Sequence, residues 1–243
     1  MSAPIDVYFW PTPNGTKITL AMEEMGLAYN LVPVNIGKGD QFKPEFLAIS
    51  PNNRMPAIVD PEGPDGKPIS VFESGAILQY LGRKTGKFYP SDERARVEVD
   101  EWLFWQMAGL GPMAGQPLVL VDVAVGPVGD VALVGEHLAG IAAEVVGLAG
   151  VLDTRLDGRN YVAGDYSIAD MASWPWVRGM ARLNPGIHDG FDRLLAWIDR
   201  IAARDAVPRA DQAGRDLVHS AAGAGPEAEQ ARSVLFGQRA RRG

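Results

Sequence analysis

The first 85 residues order their elements in a way that few folds accommodate. Ile5 to Phe9 is rich in strand-forming residues. After a short turn, Asn14 to Met25 repeats apolar residues at helical spacing until Gly26 ends the pattern. Tyr29 to Val34 is again typical of a strand. The chain therefore begins with a predicted strand, helix and strand.

A β-hairpin and a helix are predicted to complete this half. Ala57 to Asp60 and Ile69 to Phe72 are short apolar runs on either side of the turn sequence Asp65-Gly66. Glu73 to Thr85 has helical periodicity, whereas the connection from Asn35 to Phe46 is polar and irregular. Only a mixed sheet covered by helices satisfies this order of elements in so short a segment.

The second half favours helices throughout. Ser167 and Asp170 form a capping-box sequence, so helix capping is the expected role of Asp170 rather than catalysis. From Asp205 the chain is rich in Ala, Gly, Arg and Gln, and we expect it to be poorly packed until Ser233 to Gly237 docks against the rest of the protein. The predicted helices are Asp92–Met107, Val134–Leu156, Ser167–Leu183 and Gly190–Ala203.

These patterns divide the chain into an α/β domain at 1–88, an all-α domain at 92–225 and a tail at 226–243. Residues 117–150 are atypical because they consist mostly of Val, Gly, Ala and Leu, and helix and strand preferences conflict there. No Lys or Arg occurs from 97 to 154. We make no firm prediction for the first part of that segment.

Charge and residue counts exclude several functions. The net charge of -7 and the absence of a Lys/Arg cluster argue against binding to nucleic acid. With no cysteine and only three scattered histidines (His137, His188 and His219), the chain offers neither a protein thiol nor a metal site. Any sulfur chemistry would have to come from the substrate.

Targeting signals are not evident either. The N-terminus lacks the charged and apolar regions of a signal peptide, which predicts a cytoplasmic protein. The segment from Trp102 to Val121 contains no charged residue, and its 20 residues are enough to span a membrane. Their three glycines and two prolines favour a kinked, buried helix that runs into a loop, so no membrane association is predicted.

The turn before the first helix combines groups that suit an anion. A helix N-terminus presents unpaired N–H donors and a partial positive charge. Thr12 and Asn14 add a hydroxyl and an amide donor, and Gly15 would let a ligand approach the backbone. These groups could stabilise the thiolate of a bound thiol. Alternatively, Thr12 or Asn14 only caps the helix.

Two further stretches add candidate ligand groups. Met55 precedes Pro56 at the start of a strand, and a cis bond there would expose the Met55 backbone to an extended peptide; an ordinary trans proline is the alternative. Glu73 and Ser74 open a helix with an acceptor and a donor, which suits an α-amino and α-carboxylate group, although capping is again the alternative.

In combination these stretches resemble the glutathione S-transferase superfamily, and within it the bacterial nu class of glutathione-dependent disulfide-bond reductases. The resemblance covers most of Ile5 to Gln116 and Arg155 to Arg204. Its stretches are "PTPNGTKITLAMEE", "GKGDQFKPEFLAISPNNRMPAIVD", "FESGAILQYL", "WLFWQMAGLGPMAGQ", "NYVAGDYSIADMASWPW" and the terminal "LFGQ".

The resemblance implies a thioredoxin-like domain followed by an all-α domain, a homodimer, glutathione as co-substrate and no metal. It assigns Thr12 and Asn14 to the catalytic contact with the thiol. The implied glutathione-binding residues are Gln41, Asn53, Met55, Pro56, Glu73 and Ser74.

Several other residues have two alternative roles. Lys17 and Arg54 would be counter-charges for carboxylates or members of a solvated face. A set of large apolar side chains would line the second-substrate side or, more simply, pack in the core. These side chains are Trp102, Trp105, Met107 and Met113.

The function implied is activation of the glutathione thiolate for attack on disulfides, peroxides or electrophiles. Two alternatives are a glutathione-binding regulatory protein with little catalysis, and a glutathione-dependent isomerase or ether-cleaving enzyme. After Gln116, relatives of the nu class are similar in having a helix with aromatic and Arg residues that reaches the partner subunit's glutathione. Residues 117–149 contain neither residue type.

Overall fold

The computed structural model describes residues 3–116, 131–183 and 186–221. Within them the chain forms two compact units. The first contains residues 3–77 together with 208–221, and the second contains the described part of 78–207. Each unit is considered separately below.

The first unit is built on a four-stranded mixed sheet with the order β2-β1-β3-β4. β1 pairs in parallel with β2 and antiparallel with β3, and β3 pairs antiparallel with β4 as a hairpin. The predicted mixed sheet is therefore confirmed. The strands are β1 (Ile5–Phe9), β2 (Tyr29–Pro33), β3 (Ala57–Asp60) and β4 (Ile69–Phe72).

Helix α1 (Pro13–Met25) follows β1 as predicted. It starts at the N-cap Thr12, and Pro13 suits the first helical position because its missing N–H would have no partner there. It ends at Gly26, whose φ of 72° is left-handed and therefore favours glycine. Helix α3 (Ser74–Thr85) follows β4 in the same way.

The connection after β2 is more regular than its sequence indicated. Asp40–Phe42 is a turn of 3₁₀-helix, and Pro44–Leu47 is a short helix, α2. The prediction of an irregular segment was wrong here. Phe46, at 3% exposure, anchors α2 beside Val34 and Ala57.

Helix α9 (Ala206–Ala221) returns the chain to the first unit. Gly214 lies close enough to the sheet that a Cβ there would stand 3.6 Å from the Phe9 ring and 3.7 Å from Pro11. Arg209 pairs with Glu23 of α1 at 2.6 Å. The prediction of a poorly packed chain from Asp205 is therefore wrong for the first part of this helix, which packs through small residues such as Ala206, Ala210 and Gly214. Ser233 to Gly237, predicted to dock, lies outside the described residues.

The described part of the second unit is helical, which confirms the predicted fold class. A π-helical turn at Gln106–Leu110 interrupts the chain between α4 and α5, where sequence had predicted one helix to Met107. The helices are α4 (Glu93–Trp105), α5 (111–116), α6 (Val131–Arg155), α7 (Ile168–Leu183) and α8 (Asp192–Ala202).

Asp170 organises the start of α7. Its carboxylate accepts hydrogen bonds from the backbone N–H groups of Val162 and Ser167, from the Ser167 hydroxyl and from Trp197 Nε1, at 2.9–3.3 Å. Burial raises the pKa of Asp170 to about 6, and these four donors oppose that rise. The predicted capping role is confirmed and extends to a cross-link with α8.

The apolar stretch at Trp102 to Val121 is divided between α4, the π-helical turn and α5 as far as residue 116, and the rest lies outside the described residues. Among the described helices, Gly135–Arg155 within α6 is long and apolar enough to cross a membrane by length and composition. The core helices of soluble proteins pass the same test but are mostly buried, whereas 22% of this apolar window is buried. One stripe of α6, including Ile141, Val145 and Leu152, is buried.

Candidate functional site

The hydroxyl of Thr12 lies at the N-terminus of α1 and makes two hydrogen bonds. Its oxygen accepts from the Gly15 backbone N–H at 3.2 Å, and its hydrogen points to the sulfur of Met55 at 3.6 Å. The capping alternative is thus realised, but the cap uses only the oxygen of the hydroxyl. The hydroxyl hydrogen remains directed toward a sulfur atom.

Gly15 is needed for the close approach of the first turn of α1 to the end of β1. A Cβ at this position would stand 2.2 Å from the carbonyl oxygen of Trp10 and 2.9 Å from the ring of Phe9. Any side chain would therefore push the first turn of α1 away from the end of β1. Asn14, the second residue of α1, is half-buried in the same turn.

The Met55-Pro56 peptide bond is cis, so the trans alternative is wrong. Met55 is half-buried immediately before β3 and packs against Val34, Phe46 and Ala57. The contact with Thr12 therefore joins the start of α1 to the start of β3 through two side chains. No local pattern in the sequence predicts this contact, because the two residues are 43 positions apart.

Gln41 and Asn53 are held by local backbone contacts. Gln41 is 2% exposed, and its Nε2 donates to the Ile36 carbonyl at 3.2 Å, while its Oε1 is buried with no hydrogen-bond partner among the described residues. Asn53 has a φ of 48°, and its N–H donates to Ser50. Ser50, which sequence reasoning missed, donates its hydroxyl to the Arg54 carbonyl at 2.7 Å.

Glu73 and Ser74 form the start of α3. Glu73 has a left-handed φ of 69°, and its carbonyl accepts from the Ile77 N–H, so it is the cap residue while its side chain stays exposed. Ser74 is 4% exposed, and its hydroxyl oxygen accepts from Lys17 Nζ at 3.2 Å. This contact joins α1 to the beginning of α3.

Lys17 is fully buried, so its solvated-face alternative is wrong. Burial lowers the pKa of the Lys17 ammonium to about 7, and the nearby Glu73 carboxylate opposes part of that shift. Arg54, in contrast, is exposed. Helix α1 thus carries a hydroxyl at its N-cap and a buried lysine five residues later.

The candidates in the second unit form a partly exposed aromatic group. The rings of Trp102 and Trp105 lie 5.3 Å apart edge to face, and the guanidinium of Arg155 lies 5.2 Å from the Trp102 ring. Arg155 also pairs with Glu98. Met113 accepts from Gln116 at 3.5 Å. All four candidate side chains, Met107 included, are half-buried.

Among the described residues, no group of His, Asp or Glu side chains could hold a metal ion. The polar groups of the first unit instead offer hydrogen-bond donors and acceptors along the starts of two helices and one strand. Such a surface suits a small, extended and charged organic ligand.

Comparison with known proteins gives consistent matches. Residues 3–83 match the family model "Glutathione S-transferase, N-terminal domain", and residues 142–205 match "Glutathione S-transferase, C-terminal domain". Over 208 residues the chain is 45% identical to the protein named disulfide-bond oxidoreductase YfcG from Escherichia coli (strain K12), a match that covers 85% of this chain and 94% of that relative.

Solved structures agree with the sequence matches. A glutathione transferase from Burkholderia graminis, with two glutathione molecules bound per subunit, has 40% identity and a TM-score of 0.78 over 85% of this chain and 87% of its own. One from Pseudomonas putida, with one glutathione disulfide bound per subunit, has 38% identity and a TM-score of 0.78 over 85% and 90%.

Proposed function

This chain belongs to the glutathione S-transferase family, and we propose that it binds reduced glutathione on its first unit and uses the thiolate to reduce disulfides. The observation that carries the proposal is the Thr12 hydroxyl at the N-terminus of α1, which donates to the thioether sulfur of Met55 at 3.6 Å and so has its hydrogen available for a stronger sulfur acceptor. The similarity to a disulfide-bond oxidoreductase supports the reaction, and the glutathione-bound relatives support the co-substrate.

Thr12 and the start of α1 would favour the thiolate over the thiol. A free thiol has a pKa of about 8.5, so only a small fraction is ionised at neutral pH. Lowering that pKa by about two units requires roughly 2.7 kcal/mol of preferential stabilisation. One charge-assisted hydrogen bond and a helix N-terminus together supply energy of that size. Asn14 would add its amide donor.

The remaining candidates would hold the tripeptide. We assign the backbone of Met55, before Pro56, to pairing with the cysteinyl residue of glutathione, and Gln41 and Asn53 to its glycyl end. Glu73 would accept from the α-amino group of the γ-glutamyl residue, and Ser74 would donate to its α-carboxylate. Within the described part of the chain the buried Oε1 of Gln41 has no hydrogen-bond partner, which supports a ligand N–H at that end.

The chain has no cysteine, so the protein itself cannot form a mixed disulfide. The first glutathione thiolate would attack one sulfur of the substrate disulfide, forming a glutathione mixed disulfide and releasing one substrate thiolate, which takes up a proton. A second glutathione thiolate would attack the glutathione sulfur of that mixed disulfide. The products would be glutathione disulfide and two substrate thiols, and the two glutathiones would be the reductant.

Two measurements test the proposal. Ultraviolet titration of bound glutathione should give a thiol pKa well below that of the free tripeptide, and a coupled assay with a small organic disulfide should show glutathione oxidation at an enzyme-dependent rate. Conjugation of an aryl halide, assayed in parallel, should be slower. A bound thiol as weakly acidic as in buffer would contradict the mechanism.

A glutathione-binding protein with little catalysis is the second candidate. The lack of aromatic and arginine residues at 117–149 supports it, because that segment would otherwise help to build the second-substrate side. Tight glutathione binding with neither reductase nor conjugation activity would favour this candidate. Isomerase and ether-cleaving activities have no supporting observation among the described residues.

A further inference from the structure

Met55 is a half-buried methionine beside the proposed catalytic hydroxyl. Its sulfur accepts from the Thr12 hydroxyl at 3.6 Å, and its side chain packs against Val34, Phe46 and Ala57. Four other methionines of the described residues are at most 3% exposed. These are Met22, Met25, Met171 and Met180. Met55 is thus more open to a small oxidant than any of these four.

Oxidation of a methionine is a balanced two-electron reaction with a hydroperoxide. The sulfur attacks the terminal oxygen of the hydroperoxide, so that an S–O bond forms and the O–O bond breaks. The proton of that oxygen passes to the leaving oxygen, which departs as an alcohol or as water. The sulfur is oxidised to a sulfoxide and the hydroperoxide is reduced, and methionine sulfoxide reductases reverse the change. The chain has no cysteine that would react instead.

We propose that Met55 is a site of reversible oxidation by hydroperoxides, and that its sulfoxide oxygen withholds the Thr12 hydrogen from the glutathione thiolate. This inference rests on the proposed function, in which Thr12 stabilises that thiolate. The oxidised protein would still bind glutathione, but the bound thiol would be less acidic and the reduction of disulfides slower.

The hydrogen bonds of Thr12 explain why the two sulfur groups compete. The Thr12 oxygen already accepts from the Gly15 N–H at 3.2 Å, and the hydroxyl has a single hydrogen to donate. A thioether is a weak acceptor, so a thiolate can displace Met55 from that hydrogen. A sulfoxide is polar and its oxygen is a much stronger acceptor, so the thiolate would no longer win the competition.

The surroundings of Met55 direct a sulfoxide oxygen toward Thr12. The side chains of Val34, Phe46 and Ala57 are apolar and offer that oxygen no hydrogen-bond donor. Methionine has three rotatable bonds, so the oxygen can turn toward the hydroxyl whichever side of the sulfur received it. Burying the oxygen against the apolar side chains without a partner would cost free energy, which favours the contact with Thr12.

Exposure of the purified protein to tert-butyl hydroperoxide, removed before glutathione is added, tests the inference. Peptide mass spectrometry should locate one added oxygen atom on Met55. We expect kcat for a small organic disulfide to fall about tenfold, while the affinity for glutathione changes less than about twofold, because one hydrogen bond to a charged group is lost. Ultraviolet titration should show a higher pKa for the bound thiol. Methionine sulfoxide reductases of both epimer specificities should restore the rate.

Three variants identify the residue that responds. Met55→Leu removes the oxidisable sulfur, and whatever its own rate, exposure to the hydroperoxide should not lower it. Met113→Leu is the matched control, because Met113 is another half-buried methionine whose sulfur accepts a hydrogen bond, from Gln116 at 3.5 Å. It should stay as sensitive as the wild type. Met55→Gln supplies a carbonyl oxygen in place of the sulfoxide, so its rate should be low before exposure and fall no further.

Thr12→Val separates loss of the hydrogen bond from obstruction of the site. This variant keeps the shape of the side chain but has no hydroxyl. If the sulfoxide acts through Thr12, oxidation of Met55 in Thr12→Val should cause no further fall in kcat. A further fall of about tenfold would show that the added oxygen obstructs the ligand, and would overturn the inference.

The outcomes also distinguish this inference from the proposed function. A wild type with no glutathione-dependent disulfide reduction before exposure would overturn the proposed function itself. Complete oxidation of Met55 with an unchanged rate would overturn only the role of Met55. The same holds for a loss of rate that persists in Met55→Leu or that the reductases do not restore, and for a Met55 that stays unoxidised while Met107 and Met113 react. Thermal unfolding monitors the fold of each sample, and if Met55→Gln does not fold, the comparison of the wild type with Met55→Leu decides the question.

Discussion

The Thr12 hydroxyl donates to the sulfur of Met55 across 3.6 Å, although the two residues belong to different elements. A thioether is a weak acceptor, so a thiolate that reaches Thr12 would compete well for the same hydrogen. The hydroxyl oxygen meanwhile accepts from Gly15, which fixes the side chain on the end of α1. The donor is thus oriented before any ligand arrives.

Replacing Thr12 with Ala should lower kcat for disulfide reduction by about 10- to 100-fold, because one hydrogen bond to a charged group contributes about 1.5–3 kcal/mol. The pKa of bound glutathione should rise, while the affinity for glutathione changes little. Thr12→Ser restores the hydroxyl and should recover most of the rate. Steady-state kinetics and ultraviolet titration measure both effects.

Met55→Leu is the matched control for Thr12. It removes the sulfur acceptor but keeps the hydroxyl and the apolar packing, so we expect kcat within about threefold of wild type. A loss as large as that of Thr12→Ala would mean that the Met55 sulfur, rather than the Thr12 hydroxyl, is the important group.

Gly15→Ala should destabilise the protein by more than about 2 kcal/mol, because the new Cβ would overlap the Trp10 carbonyl. Gly140→Ala in α6 is the control. A Cβ there meets nothing within 4 Å, so the change should stabilise the protein by up to about 1 kcal/mol. Chemical denaturation measures both, and equal effects would contradict this account of the turn.

Asp170→Ala should cost about 3–5 kcal/mol of unfolding free energy, because it leaves several buried donors without an acceptor. Asp92→Ala is the comparison. Asp92 is an exposed cap that accepts from the Ala95 N–H, and its loss should cost about 1 kcal/mol. Thermal unfolding of the two variants should therefore differ clearly, and similar losses would show that the Asp170 network contributes little.

Lys17 should make stability increase with pH above neutrality. Its pKa is 10.5 when unperturbed and about 7 in the folded protein, so between these values the unfolded chain binds a proton that the folded protein does not. Below about pH 7 both states are protonated and the full burial cost applies. Lys17→Met should be more stable than wild type by a few kcal/mol at about pH 6 and lose that advantage toward about pH 10.

A denaturation series at several pH values checks this dependence. Tyr29 does not interfere with this measurement. Burial and its hydrogen bond to Glu23 raise the pKa of Tyr29 well above the usual range, so its ionisation changes the unfolding free energy only in strong alkali. A constant difference between Lys17→Met and wild type across the range would contradict the assignment of the slope to Lys17.

The sequence resemblance implies a homodimer, and α4 offers a surface for it. Val97 and Phe104 are seven residues apart, which puts them on one helix face, and they are 47% and 61% exposed. Phe104→Glu should shift a dimer to monomer in light scattering, whereas Leu195→Glu, at a similarly exposed position of α8, should not. A monomeric wild type would contradict the proposal.

Local sequence rules predicted the parts of the fold that depend on neighbours in the chain. The first strand, turn and helix, the hairpin at Asp65-Gly66 and the cap at Asp170 each follow from residues a few positions apart. Helix α6 was predicted as well, although its composition is unusual, and the preceding segment at 117–130 lies outside the described residues.

The features that the sequence did not predict depend on contacts between residues that are far apart in the chain. Helix α9 has few large apolar residues, and its packing is visible only once Gly214 meets Phe9. Lys17 occupies a helical position at which lysine is usually solvated, and only the fold buries it beside Ser74. Sequence resemblance could name candidate site residues, but it could not supply the contacts that orient them.

Because α9 returns to the first unit, that unit is built from two segments that are separate in the sequence, one before and one after the second unit. An exchange that replaced everything after Thr85 would also remove the helix beside Pro11, next to the proposed catalytic turn. Recombination of such modules would therefore have to preserve both ends of the chain together.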